Sequence, residues 1–318
     1  MSGQGTPARL AAARRQVDGI VLLDKPEGLS SNAALQRVRR AFNARKAGHT
    51  GSLDPLASGL LPVCLGQATK ASGLLLDADK TYDVTIALGE RTSTGDREGE
   101  VIGRAAAPAF DVAAVQRAAA GFLGEQEQVP PMYSALKHGG ERLYRLARKG
   151  VEVERQPRRI VIHRLELLGI EGAQLRFEVR CSKGTYVRTL AEDIARALGT
   201  VGHVARLRRL ALGPFATPTM HPLEEVEAAA GQAELLDAML LPADAALAAL
   251  PEVRLGVAEQ ACILQGQPVF AAGPGGAKVR MYGADGRFLG VGQMTAEGRR
   301  LAPDRIMIEL AGAAHPTA

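Results

Sequence analysis

Tryptophan is absent from this chain of 318 residues, aromatic residues make up only 4% of it, and cysteine occurs three times. Cys64, Cys181 and Cys262 are odd in number, far apart and form no Cys-x-x-Cys pair. That argues against a disulfide framework or a zinc knuckle and for a reducing cytoplasm. No stretch of about 18 uncharged apolar residues occurs, so no segment is suited to spanning a membrane. The first seventeen residues carry charges but no sustained apolar run, and residues 1–16 read as a flexible tail, not as a signal peptide. No internal repeat, nucleophile elbow or cofactor-binding motif is present, and no third ligand accompanies His49 to suggest a metal.

What is there is ordinary globular material, 46% hydrophobic and 23% charged. The length favours one large domain and a small one. The net charge of +5 matters where it clusters. Residues 28–53 contain Arg37, Arg39, Arg40, Arg45 and Lys46 and no acid, while residues 137–159 hold eight Lys or Arg against three Glu. Each run alone is equally a solvated face. Two of them flanking candidate catalytic residues favour a track for a phosphate backbone.

Gly19–Asp24 is a short apolar run stopped by Lys25, Pro26 and Gly28, as expected for a buried strand ending in a turn. A helix should follow, capped by Ser30, Ser31 or Asn32, with Leu35, Val38 and Phe42 on its buried stripe. Residues 44–66 are dense in Gly, Pro and Ser and read as a structured loop. Strands are expected at Tyr82–Leu88, Ile160–Leu168 and Leu175–Cys181, and helices at 111–123, with Val112, Val115 and Phe122 on one face, and at Thr189–Leu198. The polar stretch RTSTGDREGE reads as an exposed loop, and 224–250 as connecting helix. From Pro251 onward, short β-like pieces separated by Gly-rich turns suggest a small all-β barrel.

Two constellations could carry chemistry. Asp54 lies in GSLDPLASG, where Gly51, Pro55 and Gly59 can present a carboxylate rigidly, although an ordinary turn aspartate would look the same. His49, five residues earlier, is an acid/base partner or nothing more than a loop residue. In CSKGTYVRTLAED, Tyr186 and Arg188 project to one side if the segment is extended. A planar guanidinium there could hold a carboxylate through two parallel hydrogen bonds and favour its charged form, or serve as a structural ion pair.

GIVLLDKPEGLSSN, HTGSLDPLASGLLPVCLGQATK, KTYDVTIALG, VPPMYSALKHGGERLYRLARKG, CSKGTYVRTLAEDI and LRRLALGPF, in that order over about residues 17–220, closely resemble the bacterial tRNA pseudouridine synthase B (TruB) family. The C-terminal segment resembles that family's small PUA-type RNA-binding domain. The resemblance implies an α+β fold, a mixed and largely antiparallel sheet flanked by helices, for residues 17–248, with an RNA-clamping insertion at about 125–158. A PUA-like β-barrel at 249–313 follows. It implies isomerisation of the T-loop uridine of tRNA, at position 55, to pseudouridine after base flipping. Position by position, Asp54 matches the catalytic aspartate, Arg188 its partner and Tyr82 the tyrosine that stacks on the target base. Lys25 and Pro26 match a turn supporting the active-site loop, and Lys70, Tyr186 and Leu207 match pocket-lining positions. His49 matches a residue that fills the T-loop when bases are flipped out. The implied partner is the T-arm of tRNA, and Arg142, Arg145 and Arg148 are candidates for contacts to its backbone. No cofactor, metal, membrane, obligate protein partner or guide RNA is expected, and a monomer is. A non-catalytic tRNA-binding or folding factor and a guide-RNA-dependent synthase are the alternatives.

Neutralising Arg142, Arg145 and Arg148 together should flatten the plot of log affinity against log salt by about one unit or less per residue. Binding should weaken similarly for any folded tRNA, with the single-turnover rate at saturation little changed. An affinity series across salt checks this, and an unchanged slope marks the segment as a solvated charged surface.

Overall fold

The apolar runs of the sequence become neighbouring strands. A computed structural model describes residues 13–107, 109–216 and 218–308. Its main sheet has nine strands, ordered His221–Pro222, Gly19–Lys25, Ser58–Leu65, Gly202–Leu212, Lys80–Leu88, Gln174–Cys181, Arg158–Glu171 and Gly124–Gln128, with Ala47–His49 paired to Ser58–Leu65 beside this path. Two pairings are parallel, Gly19–Lys25 with His221–Pro222 and Gly202–Leu212 with Ser58–Leu65, and the others are antiparallel. The fold is therefore α+β with a mixed, largely antiparallel sheet.

One face of the sheet carries the main core. The helix Ser31–Ala41 is capped by the Ser30 hydroxyl, which accepts from the Ala33 N–H at 3.1 Å, and it buries Leu35, Val38 and the following Phe42. The helix Val187–Ala197 buries Leu190 and Ile194 against Val84, Ile86, Phe177 and Val179 of the strands. In the helix Val112–Ala120 the buried residues are Val115 and Ala119. Val112 is exposed, because Asp111 caps the helix and leaves Val112 in its first, outward turn.

Several elements differ from the sequence reading. Residues 44–66 are not loop throughout, since Ser58–Leu65 is a strand whose last seven residues are buried. Buried on both faces, it lacks the alternation that reveals a half-exposed strand. The expected helix over 224–250 is three short pieces, Leu223–Ala228, Ala233–Ala238 and a 3-10 turn at Ala243–Leu247, broken at Gly231, with φ of 85°, and at Pro242. The chain is already docked at Ala13 and Arg15, where tail was expected. The Ala13 carbonyl accepts from Asn43 Nδ2 at 3.1 Å, and Arg15 pairs with Asp237 at 2.6 Å. The rest of the expected tail, 1–12, lies outside the described residues.

The C-terminal unit is a five-stranded, half-barrel sheet ordered Glu252–Arg254, Lys278–Tyr282, Phe288–Met294, Arg300–Ile306 and Val269–Phe270. It also contains a helix, Val257–Leu264, that the all-β expectation missed. Residues 309–313 of the expected barrel lie outside the described residues. Val291 and Met307 of this unit share an apolar cluster with Ile20, Leu22 and Leu60 of the main sheet, and Tyr282 Oη donates to Asp244 at 2.7 Å. No helix among the described residues is long and apolar enough to cross a membrane.

Gly59 allows the parallel pair to close. Its φ is 95°, and a Cβ there would lie 2.3 Å from the Arg209 carbonyl oxygen. Gly59→Ala should destabilise the fold by roughly 2–4 kcal/mol, combining left-handed strain with a backbone clash. Denaturant unfolding of the purified variant measures this, and a loss below about 0.5 kcal/mol, the range of an inert surface change, would show that the strands separate freely.

Candidate active site

Asp54 sits in the turn between Ala47–His49 and Ser58–Leu65, and four neighbours hold that turn. Ser31, the first residue of its helix, donates from Oγ to the Leu53 carbonyl at 2.9 Å and accepts from the Leu53 N–H at 2.7 Å. The Gly28 N–H donates to the Pro55 carbonyl at 2.8 Å. The Lys25 ammonium, fully buried, donates to the carbonyls of Pro26, Leu29 and Pro55 at 2.8, 2.7 and 3.4 Å. Arg209 Nη2 reaches the Gly51 carbonyl at 3.2 Å. The turn closes on itself through the Ala57 N–H and the Asp54 carbonyl at 3.0 Å.

Arg188 faces Asp54 with Nε 2.9 Å from Oδ2, and its side chain is 5% exposed. It does so from the first turn of the helix Val187–Ala197, not from an extended segment. The helix starts early because the Gln128 side chain supplies an external cap, accepting from the Tyr186 N–H at 2.8 Å while its amide donates to the Tyr186 carbonyl at 3.1 Å. Nor is the contact a two-bond fork. The two outer nitrogens donate instead to the carbonyls of Thr94 and Tyr133, each at 2.7 Å, which leaves Nε for the carboxylate.

A second acid closes this cluster, and the sequence reading missed it. Asp96 lies in the segment taken for an exposed loop, yet it is buried, with Oδ2 3.7 Å from Arg188 Nη1. Its Oδ1 accepts from the Thr94 hydroxyl at 2.6 Å and the Glu98 N–H at 3.1 Å. This turn is anchored on the sheet by Val204, whose N–H donates to the Gly95 carbonyl at 3.0 Å. A polar turn with two glycines gives no local sign of burial.

Burial and crowding push the Asp54 carboxyl above its ordinary range, Arg188 and Lys25 pull it back, and Asp96 pushes it further up. The side chain is nonetheless 42% exposed, as expected of a carboxyl packed on its flanks and open at the mouth of a cleft. Burial brings the Lys25 ammonium down to about 8, against the pull of Asp54. It lowers His49 as well, with Arg209 adding to the effect.

Tyr82, on Lys80–Leu88, pairs in register with Arg209 and Val179, and burial raises its phenol. Leu207 lies opposite Val84 on the same face and is 6% exposed. Tyr186 stands beside Ser134, Arg158, Arg188 and Asp54, and burial raises it too. The structure thus brings Arg188, Tyr82, Tyr186 and Lys25 towards Asp54, with Leu207 packed in the core of the same sheet face. It does not bring Lys70 to them. That ammonium donates to the Ile306 carbonyl at 2.7 Å, across the seam to the C-terminal sheet, because its 3-10 turn at Gly66–Ala71 faces that sheet. His49 is not paired with Asp54 either, and its Nδ1 is buried without a hydrogen-bond partner.

The basic runs are partly spoken for. Arg37 pairs with Glu227, Arg39 donates to the Ala44 and Arg45 carbonyls at 3.2 and 3.0 Å, and Lys149 pairs with Glu141 at 2.7 Å. Arg148 lies over the Tyr144 ring at 5.7 Å, near Arg142 and Arg145 on the short helix Leu143–Arg148 and its entry. A cavity of 420 Å³ opens on the opposite sheet face among Asp83, Thr85, Arg176 and Arg206, and of the site residues it touches only Leu207. Arg188 instead walls a cavity of 290 Å³ between residues 91–95 and 129–133.

A carboxylate held beside a buried arginine on this mixed sheet is the arrangement expected of a pseudouridine synthase. The profile for "TruB family pseudouridylate synthase (N terminal domain)" matches residues 39–187. Those for "tRNA pseudouridylate synthase B C-terminal domain" and "Pseudouridine synthase II TruB, C-terminal" match 188–248 and 251–307. The chain is 52% identical over 301 residues to tRNA pseudouridine synthase B of Nitrosococcus oceani, covering 94% of this chain and 97% of that one. It is 50% identical over 300 residues to the protein of that name from Aromatoleum aromaticum, covering 94% and 96%. Among solved structures it is similar to a chain of a Cbf5-Nop10-Gar1 complex, at 26% identity and a TM-score of 0.71 over 91% of this chain and 85% of that one. The chain belongs to the TruB family of pseudouridine synthases.

With Asp54 taken as the reacting carboxylate, turnover is expected to fall as pH drops through its raised folded pKa. Asp96→Asn removes a negative charge that raises this pKa. The acid limb of the single-turnover rate should therefore move to lower pH, and a limb that stays in place or rises would show that Asp96 does not act on Asp54 electrostatically.

Proposed function

We propose that this protein acts alone to convert the T-loop uridine of tRNA, at position 55, to pseudouridine, with Asp54 as its reactive carboxylate. The observation that carries the reading is the contact between Asp54 and a buried Arg188 whose two outer nitrogens each donate to a backbone carbonyl. The relatives named tRNA pseudouridine synthase B support tRNA as the substrate class.

The reaction breaks the N1–C1′ glycosidic bond, turns the uracil and joins C5 to C1′. The C5 proton is lost and N1 regains one, so the atoms balance without an outside group. Asp54 serves this chemistry by attacking C1′, by adding to C6 of the base or by removing the C2′ proton. In each case it acts as a carboxylate, and Arg188 favours that form. Tyr82 offers a ring to replace the stacking that the flipped base loses, and Tyr186 and Leu207 line the same cleft. Lys25 holds the turn that carries Asp54. Residues 17–248 form the catalytic part in this reading, the excursion at 125–158 lies along the T-arm through Arg142, Arg145 and Arg148, and 249–313 adds an RNA-binding surface.

The purified protein, with no other protein or RNA, should release tritium from a T-arm hairpin carrying 5-tritiated uridine. Asp54→Asn should abolish release while tRNA affinity stays within about twofold, because the change removes a charge at nearly constant volume. Substantial turnover by the variant sinks the role of Asp54, and conversion only when a guide RNA is added sinks stand-alone action.

A further inference from the structure

Besides Lys25, another large, buried cation lies beside the Asp54 turn. Arg209, on Gly202–Leu212, is 1% exposed. Its Nε donates to the Leu60 carbonyl at 2.7 Å and its Nη2 to the Gly51 carbonyl at 3.2 Å. Among the described residues no carboxylate pairs with it. Its remaining side faces Tyr82, the residue opposite it in the antiparallel register.

Such a residue is an expensive way to fill a core. Burying a guanidinium without a counter-ion is far less favourable than burying an apolar side chain of the same volume. Burial does depress its basicity, and its charge also opposes the protonation of Lys25, Lys80 and His49 nearby. Packing alone therefore gives no reason for arginine here. Geometry does. A planar fork can reach two carbonyls in fixed directions while lying beside the residue opposite it in the strand register, as a lysine point donor cannot. The two carbonyls belong to opposite ends of the Asp54 turn, Gly51 at its entry and Leu60 in the strand it leads into. The register partner, Tyr82, carries the ring proposed to receive the base.

Resting on the assignment of Asp54 and Tyr82 above, we propose that Arg209 is a positioning residue that fixes the Asp54 turn relative to the Tyr82 ring. It touches neither substrate nor reacting atoms. It sets the distance between the carboxylate and the base's stacking platform. The sequence hides it because Arg208, the adjacent residue, points to the other face and pairs there with Asp24 at 2.7 Å.

The test uses the full-length protein with Arg209→Lys and Arg209→Gln, alone and combined with Tyr82→Phe. For each, thermal midpoint, tRNA Kd and single-turnover rate at saturating tRNA are measured. Arg209→Lys is expected to fold, to bind tRNA within about twofold of the native protein and to react about tenfold or more slowly. A residue that only stabilised the fold would shift the midpoint and leave the rate of the folded, saturated enzyme unchanged. Adding Tyr82→Phe should cost less in the Arg209→Lys background than in the native one, since the contact between them is already lost. A rate within about twofold of native in both Arg209 variants overturns the proposal, as does full independence of the Tyr82→Phe effect. Failure of both variants to fold overturns it too, because Arg209 would then be a folding residue. An inactive native protein would instead refute the assignment of the site as a whole, which keeps the two failures apart.

Discussion

A guanidinium offers five N–H donors in one rigid plane, and where backbone oxygens claim its ends the remaining edge can point in only one direction. Arg188 is in that position. The carbonyls of Thr94 and Tyr133, from two separate loops, take its outer nitrogens, and Nε is left facing Asp54. The helix that carries it cannot slide, since the Gln128 amide holds the backbone at its first turn. Both loops and the helix must be folded before the carboxylate has its partner. The site is thus a consequence of tertiary structure and has little local preference of its own.

Electrostatics follow from that arrangement. Asp54 and Asp96 share one buried cation from opposite sides, and Lys25 adds a second positive charge behind the turn. A carboxylate surrounded by protein would tend towards its neutral form. Two cations work against burial, and the carboxyl keeps one side open to solvent. Such clusters work against stability, as is common where function requires charges to be buried.

Much of this was legible in the residues. The strands Gly19–Lys25 and Lys80–Leu88 and the helix Ser31–Ala41 follow their apolar patterns, and Asp54 stands out between glycines beside a proline. Its role did not follow from the pattern and needed the family resemblance. What stayed hidden shares one cause, the dependence of burial on distant partners. Asp96 lies in a run of polar and glycine residues that looks solvated. Arg209 sits in RLRRL, where register shifts at Val204/Arg206 and Arg209/Ala211 spoil the period-two pattern that would have sorted inward from outward arginines. Lys70 matched a pocket position in sequence, yet its ammonium serves the seam with the C-terminal sheet.

The central claim is that Arg188 acts through the orientation its fork imposes, beyond its charge. Arg188→Lys keeps the charge and loses the planar fork whose separated nitrogens reach Thr94, Tyr133 and Asp54 in fixed directions. Single-turnover pseudouridine formation at saturating tRNA, in a variant shown by calorimetry to be folded, should fall by roughly a hundredfold. A rate within a few-fold of the native enzyme would contradict the account, because charge alone would then be enough to hold Asp54 ready.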